Sequence, residues 1–221
     1  MTRIKICGVN RAEDAVPINE ALPDFAGFVF VGSSRRAVEP AHAAALRQLI
    51  DPRVVLVGVF RDAPVEFVAD LVAEGTVDFA QLHGAESAEY IRDLKARVNV
   101  PVIKAVSVTS LADVATPTAP DPEWPTDPNH PADCLLFDNG TGGTGATFDL
   151  ALIGEARALG RLPSKPFFIA GGVGLDNLDD VLKLRPYGVD ISSGAETDGV
   201  KDPAKIKALV AAVTSPRRPG R

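Results

Sequence analysis

Arg3-Ile4-Lys5-Ile6-Cys7-Gly8 is a short β-prone run that ends in a reactive side chain and a glycine. The same unit recurs down the chain: an apolar strand, a polar or Gly-bearing loop, then a helical stretch. Strands are predicted at Arg3–Cys7, Gly27–Phe30, Val54–Phe60, Val77–His83, Val102–Ala105, Cys134–Asp138, Phe167–Ala170 and Val189–Ser192. Most are near-continuous apolar runs, as expected of parallel strands covered on both faces. Between them, Ala12–Ala21, Ala41–Ile50, Val65–Ala73, Ala88–Val98, Leu150–Leu159, Leu175–Leu184 and Ala204–Val213 carry apolar residues at helical spacing with charges opposite. Pro40, Pro64 and Pro203 stand at or near first turns, and Asp202 is an expected N-cap. Regular alternation of strand and helix predicts an α/β fold, a single (β/α)8 TIM barrel with its site built on strand ends.

The chain's 221 residues suit one such barrel, which runs to ~200–250 residues, with little ornament. The expected division is a barrel over residues 1–214 and a basic, Pro- and Gly-containing tail, 215–221, that frays. The fifth helical unit is the weak one: Ser110–Ala115 is short and runs into a Pro- and Asp-rich stretch, Thr116–Pro131, holding the sole tryptophan, Trp124. That stretch reads as a connection on the lower face of the barrel rather than a domain linker. With 46% hydrophobic and 24% charged residues the composition is that of a soluble globular protein. A net charge of −6 argues against nucleic acid as the main partner, so any anion site must be local. Cys7 and Cys134 would lie at opposite ends of their strands, which predicts free thiols in a reduced, cytoplasmic setting. No signal-peptide core follows Met1 and no apolar run approaches the ~20 residues of a span, so no membrane association is expected.

Three glycine-bearing loops follow the last three strands: Gly140–Gly145, Gly171-Gly172-Val173-Gly174 and Ser192-Ser193-Gly194-Ala195. Glycine lets backbone N–H groups approach an anion without a Cβ in the way, and in barrels the last two loops often cradle a phosphate. Asp176 and Asn177, just beyond, are expected to cap the seventh helix rather than touch ligand. Cys7 ends the first strand, where its side chain can enter the barrel mouth; the bland alternative is an inert core cysteine. Lys5 shares its face and could favour a thiolate, or could simply be structural or a surface side chain. Asp138 follows Leu135-Leu136-Phe137 at the mouth end of the sixth strand. Partial burial beside a polyanionic substrate would favour its protonated form and let it donate a proton near neutral pH. Of Arg35 and Arg36, one is expected to clamp a substrate carboxylate and the other to be solvated. His83, in Gln81-Leu82-His83-Gly84, is either a pocket wall or a proton-transfer group.

In order along nearly the whole chain, these segments resemble the phosphoribosylanthranilate isomerase family, barrels of tryptophan biosynthesis. The resemblance is carried by Lys5-Ile6-Cys7-Gly8, Gly27-Phe28-Val29-Phe30, Val57-Gly58-Val59-Phe60, Gln81-Leu82-His83-Gly84 and Leu136-Phe137-Asp138. It continues in Gly142–Gly145 with Phe148-Asp149, in Ala170-Gly171-Gly172-Val173, and in Val189–Glu196 with Gly199–Asp202. It implies an Amadori rearrangement of N-(5-phosphoribosyl)anthranilate to 1-(2-carboxyphenylamino)-1-deoxyribulose 5-phosphate, without metal or organic cofactor. It further implies Asp138 as general acid, Cys7 as general base and Arg36 on the anthranilate carboxylate. Gly171, Gly172, Ser193 and Gly194 would lie on the phosphate, while Gln81, His83 and Asp190 match pocket positions. The expected partner is a phosphorylated small molecule, and the expected state a monomer or homodimer. Two departures stand out. Arg35 replaces a family proline before Arg36, which removes a φ restraint on that loop, and Leu150 replaces an aromatic after Phe148-Asp149.

The rival readings are a sister phosphoribosyl aminoaldose isomerase of histidine biosynthesis, a bifunctional form of the two, and a non-catalytic phosphate-binding barrel. The sister enzymes use an aspartate where this chain has Cys7, which argues against them.

Overall fold

The computed structural model of the protein describes residues 1–139 and 149–215. Eight parallel strands close into a barrel in sequence order: β1 (Arg3–Cys7), β2 (Phe25–Val29), β3 (Val55–Phe60), β4 (Phe79–Leu82), β5 (Val102–Ser107), β6 (Cys134–Asp138), β7 (Phe167–Ile169) and β8 (Gly188–Ile191). Closure falls between β1 and β8, with Lys5 opposite Asp190. The helices are α1 (Ala15–Ala21), α2 (Pro40–Arg47), α3 (Val65–Ala73), α4 (Ala88–Arg97), α5 (Leu111–Val114), α6 (Ala151–Ala158), α7 (Leu178–Lys183) and α8 (Pro203–Thr214). After β8, a small hairpin of β9 (Glu196–Thr197) and β10 (Val200–Lys201) precedes α8.

Period-two alternation sorts each strand between two cores. On β1, Ile4 and Ile6 join the apolar layer beneath the helices, whereas Lys5 and Cys7 turn into the barrel. The barrel floor is filled by Phe25, Val57, Ile103, Leu136 and Phe168. Phe25 meets Phe79 and Phe168 edge-on, with centroids 5.7 and 5.6 Å apart. Cys7, Val29 and Val59 form a thinner apolar ring above them, at the mouth. A filled floor leaves the C-terminal end of the barrel as the open end, where the loops gather.

Most elements lie where the apolar pattern places them. β2 starts two residues earlier than predicted, at Phe25, and α7 is shorter, starting at Leu178. Asp202 caps α8 by accepting from Ala204 and Lys205 N–H, as expected. Asn177 stands at the N-cap position of α7 but its side chain does not cap the helix. It instead accepts from Gly174 N–H and donates to the Gly172 carbonyl, tying the preceding loop shut. The Thr116–Pro131 connection is held by internal bonds: Thr126 Oγ1 donates to the Ala115 carbonyl, and Asp127 accepts from Asp121 and Asn129 N–H. Loop residues 140–148 and tail residues 216–221, to which the sequence assigned a glycine loop and fraying, lie outside the described residues.

Candidate active site

The strand ends enclose a cavity of about 460 Å³. Cys7 enters it from β1, Gln81 from β4, His83 from just beyond β4, Asp138 from the end of β6 and Asp190 from β8. Arg36, Gly171, Gly172 and Ser193 complete the set of expected site residues at its wall. Gly194 alone stands behind the wall, so close that a Cβ there would fall 2.1 Å from the Val173 carbonyl oxygen. The missing side chain lets the β8 loop press against the β7 loop.

Cys7 is buried and free of any disulfide, as is Cys134 at the far end of its strand. Burial pushes the Cys7 thiol above its ordinary value, and the nearby Asp190 carboxylate adds to that; the Lys5 ammonium works the other way. Lys5 is fully buried and donates to both Asp190 oxygens at 3.0 and 3.1 Å. Burial disfavours the Lys5 charge, but Asp190 and Cys7 outweigh it and hold the ammonium above its ordinary value. Lys5 is therefore not a surface side chain. It is a buried cation between the thiol and a carboxylate.

Asp138 faces Cys7 across the cavity. One of its oxygens accepts the Asn139 N–H at 2.7 Å and the other lies 3.2 Å from His83 Nε2. Gly171, at φ +74°, makes room for this carboxylate, since a Cβ there would sit 2.4 Å from Asp138 Oδ1. Behind His83, Lys104 binds Glu86 at 3.0 Å and the Gly84 carbonyl at 2.6 Å, and Glu86 accepts Gly84 N–H at 2.9 Å. These buried bonds fix the loop that carries the imidazole.

Arg36 is the arginine that faces the cavity, with its side chain 13% exposed against 60% for Arg35. Its Nε and Nη2 donate to the two oxygens of Glu196 at 2.6 and 2.8 Å. Glu196 also accepts from Arg35 and from the buried Lys201, each at 2.8 Å. A guanidinium has five N–H donors, so the Nη1 edge of Arg36 remains for a second, bidentate acid. Three cations around one carboxylate leave the cluster net positive. The Glu196 bond raises the Arg36 guanidinium, while the same partners hold Glu196 below its ordinary value against the cost of burial. Glu196 and Lys201 are the contributors that sequence reasoning missed. Both lie in segments that carry the resemblance, but nothing in those segments ties them to an arginine about 160 positions away. Among the described residues no group of three or more His, Cys, Asp or Glu side chains is placed to hold a metal ion.

A thiol, a carboxyl, an arginine and two glycine-bearing loops in one barrel mouth invite comparison with known proteins. The family model described as N-(5'-phosphoribosyl)anthranilate (PRA) isomerase matches residues 4–212. The chain belongs to the phosphoribosylanthranilate isomerase family. An Endomicrobium trichonymphae relative named N-(5'-phosphoribosyl)anthranilate isomerase is 42% identical over 212 residues, 93% of this chain and 95% of its own. The crystal structure of phosphoribosyl anthranilate isomerase from Thermus thermophilus is 38% identical, with TM-score 0.80 over 96% of this chain and 98% of its own. A third, 31% identical, was solved in complex with reduced 1-(o-carboxyphenylamino)-1-deoxyribulose 5-phosphate; its TM-score is 0.77 over 96% of this chain and 97% of its own. Like these phosphoribosylanthranilate isomerases, the protein is a (β/α)8 barrel.

Proposed function

We propose that the protein isomerises N-(5'-phosphoribosyl)anthranilate to 1-(2-carboxyphenylamino)-1-deoxyribulose 5-phosphate, an Amadori rearrangement in tryptophan biosynthesis. The observation that carries this reading is the placement of Cys7 and Asp138 in one cavity, between an arginine wall and a pair of glycine-bearing loops. The substrate is an anion at both ends. Its phosphate suits the loops at Gly171-Gly172 and Ser193-Gly194, and its carboxylate suits the open edge of Arg36.

In this reading Asp138 protonates the furanose ring oxygen, the C1′–O4′ bond breaks, and the anthranilate nitrogen becomes a protonated Schiff base. Cys7 then removes the C2′ proton as a thiolate. The freed electron pair moves into the C1′–C2′ bond and neutralises the iminium, giving an enolamine. Loss of the enol proton and protonation at C1′ yield the ketone. One acid and one base suffice. Asp190, held by Lys5, stands beside the thiol and faces the sugar as a hydroxyl acceptor. The protein is read as a monomer or a homodimer. Residues 1–214 are read as one catalytic domain acting in the cytoplasm.

Titration calorimetry with the reduced product analogue tests the substrate class. One site per chain, weakened by Arg36→Ala, is the expected result; no binding to the wild-type protein would contradict the assignment. The phosphoribosyl aminoaldose of histidine biosynthesis serves as the control, and turnover of that compound alone would favour the sister activity.

A further inference from the structure

We propose that His83, held in one tautomer by Gln81, is the positioning residue of Asp138. This rests on the reading of Asp138 as the general acid and extends it. Asp138 Oδ2 lies 3.2 Å from His83 Nε2, and His83 Nδ1 lies 3.1 Å from Gln81 Nε2. After proton donation Asp138 is a carboxylate and can only accept, so Nε2 must carry the hydrogen. A neutral ring then has a bare Nδ1, which needs a donor, and the Gln81 amide nitrogen is that donor. The reverse amide orientation would put the hydrogen on Nδ1 and turn the Nε2 lone pair against the carboxylate.

The arrangement has a visible cost. Gln81 is 1% exposed, and its Oε1 has no hydrogen-bond partner among the described residues. A buried acceptor left unsatisfied is rare and calls for an explanation. Here the amide gives its nitrogen to the imidazole and leaves its oxygen bare, which is what fixing the tautomer requires. The charged groups around the pair come from three sides: Arg61 and Asp62 after β3, Lys104 with Glu86 behind the β4 loop, and Cys7 and Asp190 across the mouth.

The function follows from the geometry. One oxygen accepts Asn139 N–H and the other lies within 3.2 Å of His83 Nε2, so the two contacts together oppose rotation of the carboxyl away from the substrate. The His83 hydrogen also stabilises the negative charge left when the proton departs, so its contribution grows toward the transition state. Gln81 acts through His83 and touches no reacting atom.

Two measurements test this together. Two-bond ¹H–¹⁵N spectra of the imidazole, recorded where the ring is neutral, should show the Nε2–H form in the wild type and its loss in Gln81→Met. Steady-state kinetics should show His83→Leu lowering kcat about 10- to 100-fold with KM little changed, the scale of a misplaced catalytic group. His83→Gln, whose amide nitrogen reaches the Nε2 position, should recover much of that loss. An Nδ1–H ring in the wild type, or a His83→Leu kcat within about twofold of wild type, overturns the proposal. Asp138→Asn separates the two layers. If it abolishes turnover while His83→Leu does not, only the positioning role fails; if it leaves turnover intact, the general-acid reading fails and this proposal with it.

Discussion

Residue by residue, the proposed mechanism separates proton transfer from binding, and the two have distinct kinetic signatures. Cys7→Ala and Asp138→Asn each remove a proton-transfer group, so kcat should fall about 10²–10⁴-fold while KM moves little. Steady-state assays that find near-wild-type kcat for either variant would take that residue out of the mechanism. In the proposed mechanism Arg36, braced by Glu196, serves binding. Losing a charge-assisted bond of about 1.5–3 kcal/mol should raise KM roughly 10- to 100-fold in Arg36→Ala. Gly8→Ala should act in the same direction without touching substrate, because a Cβ there would stand 2.4 Å from Arg36 Cδ and displace the guanidinium. A KM unchanged in both variants would move the carboxylate site elsewhere.

At the scale of elements, β1 is the strand on which the site depends. Lys5 and Cys7 share its inward face, and Lys5 fastens β1 to β8 through Asp190. Removing one partner of such a buried pair costs about 3–5 kcal/mol, so Lys5→Met should lower unfolding stability by that order in a denaturant titration. The same variant should also slow alkylation of Cys7 at any given pH, since burial already holds the thiol up and Lys5 is what opposes it. In the wild type, the alkylation rate should rise with pH through a midpoint above the ordinary thiol value of 9.0. Faster alkylation in Lys5→Met would show that Lys5 does not favour the thiolate. β1 was also the most legible element in the sequence, because an apolar run ending Cys-Gly states both its strand and its mouth-facing end. β2 was less so: Phe25 and Ala26 follow Pro23-Asp24, which reads as a turn, and only the barrel's register shows that they already pair with β1 and β3.

Across the whole molecule, strand order and the closed barrel were readable from local patterns, since each strand pairs with its sequence neighbour. The cross-barrel contacts were not. Nothing local to Arg36 announces Glu196, and nothing local to His83 announces Asp138; closure alone brings them together. Nor did the Pro-rich connection announce that it is packed. It buries His130, whose Nδ1 accepts Ala132 N–H, and burial pushes this imidazole down to about 4. A histidine kept neutral by the fold stabilises it fully above the unfolded value of 6.5, and that contribution is lost as pH falls toward 4. At about 1.4 kcal/mol per pH unit, some ~3 kcal/mol should disappear across this window. Thermal melts from pH 7 to 4 should show the fall, and His130→Asn, which keeps an acceptor but cannot titrate, should flatten it. Equal slopes in the two proteins would place the acid sensitivity elsewhere. The measurement that bears most directly on the whole is turnover of freshly generated phosphoribosylanthranilate by the purified protein, followed as loss of anthranilate fluorescence beside a Cys7→Ala control. Protein-dependent loss that the control abolishes is the predicted result. A wild-type rate equal to background would contradict the isomerase assignment.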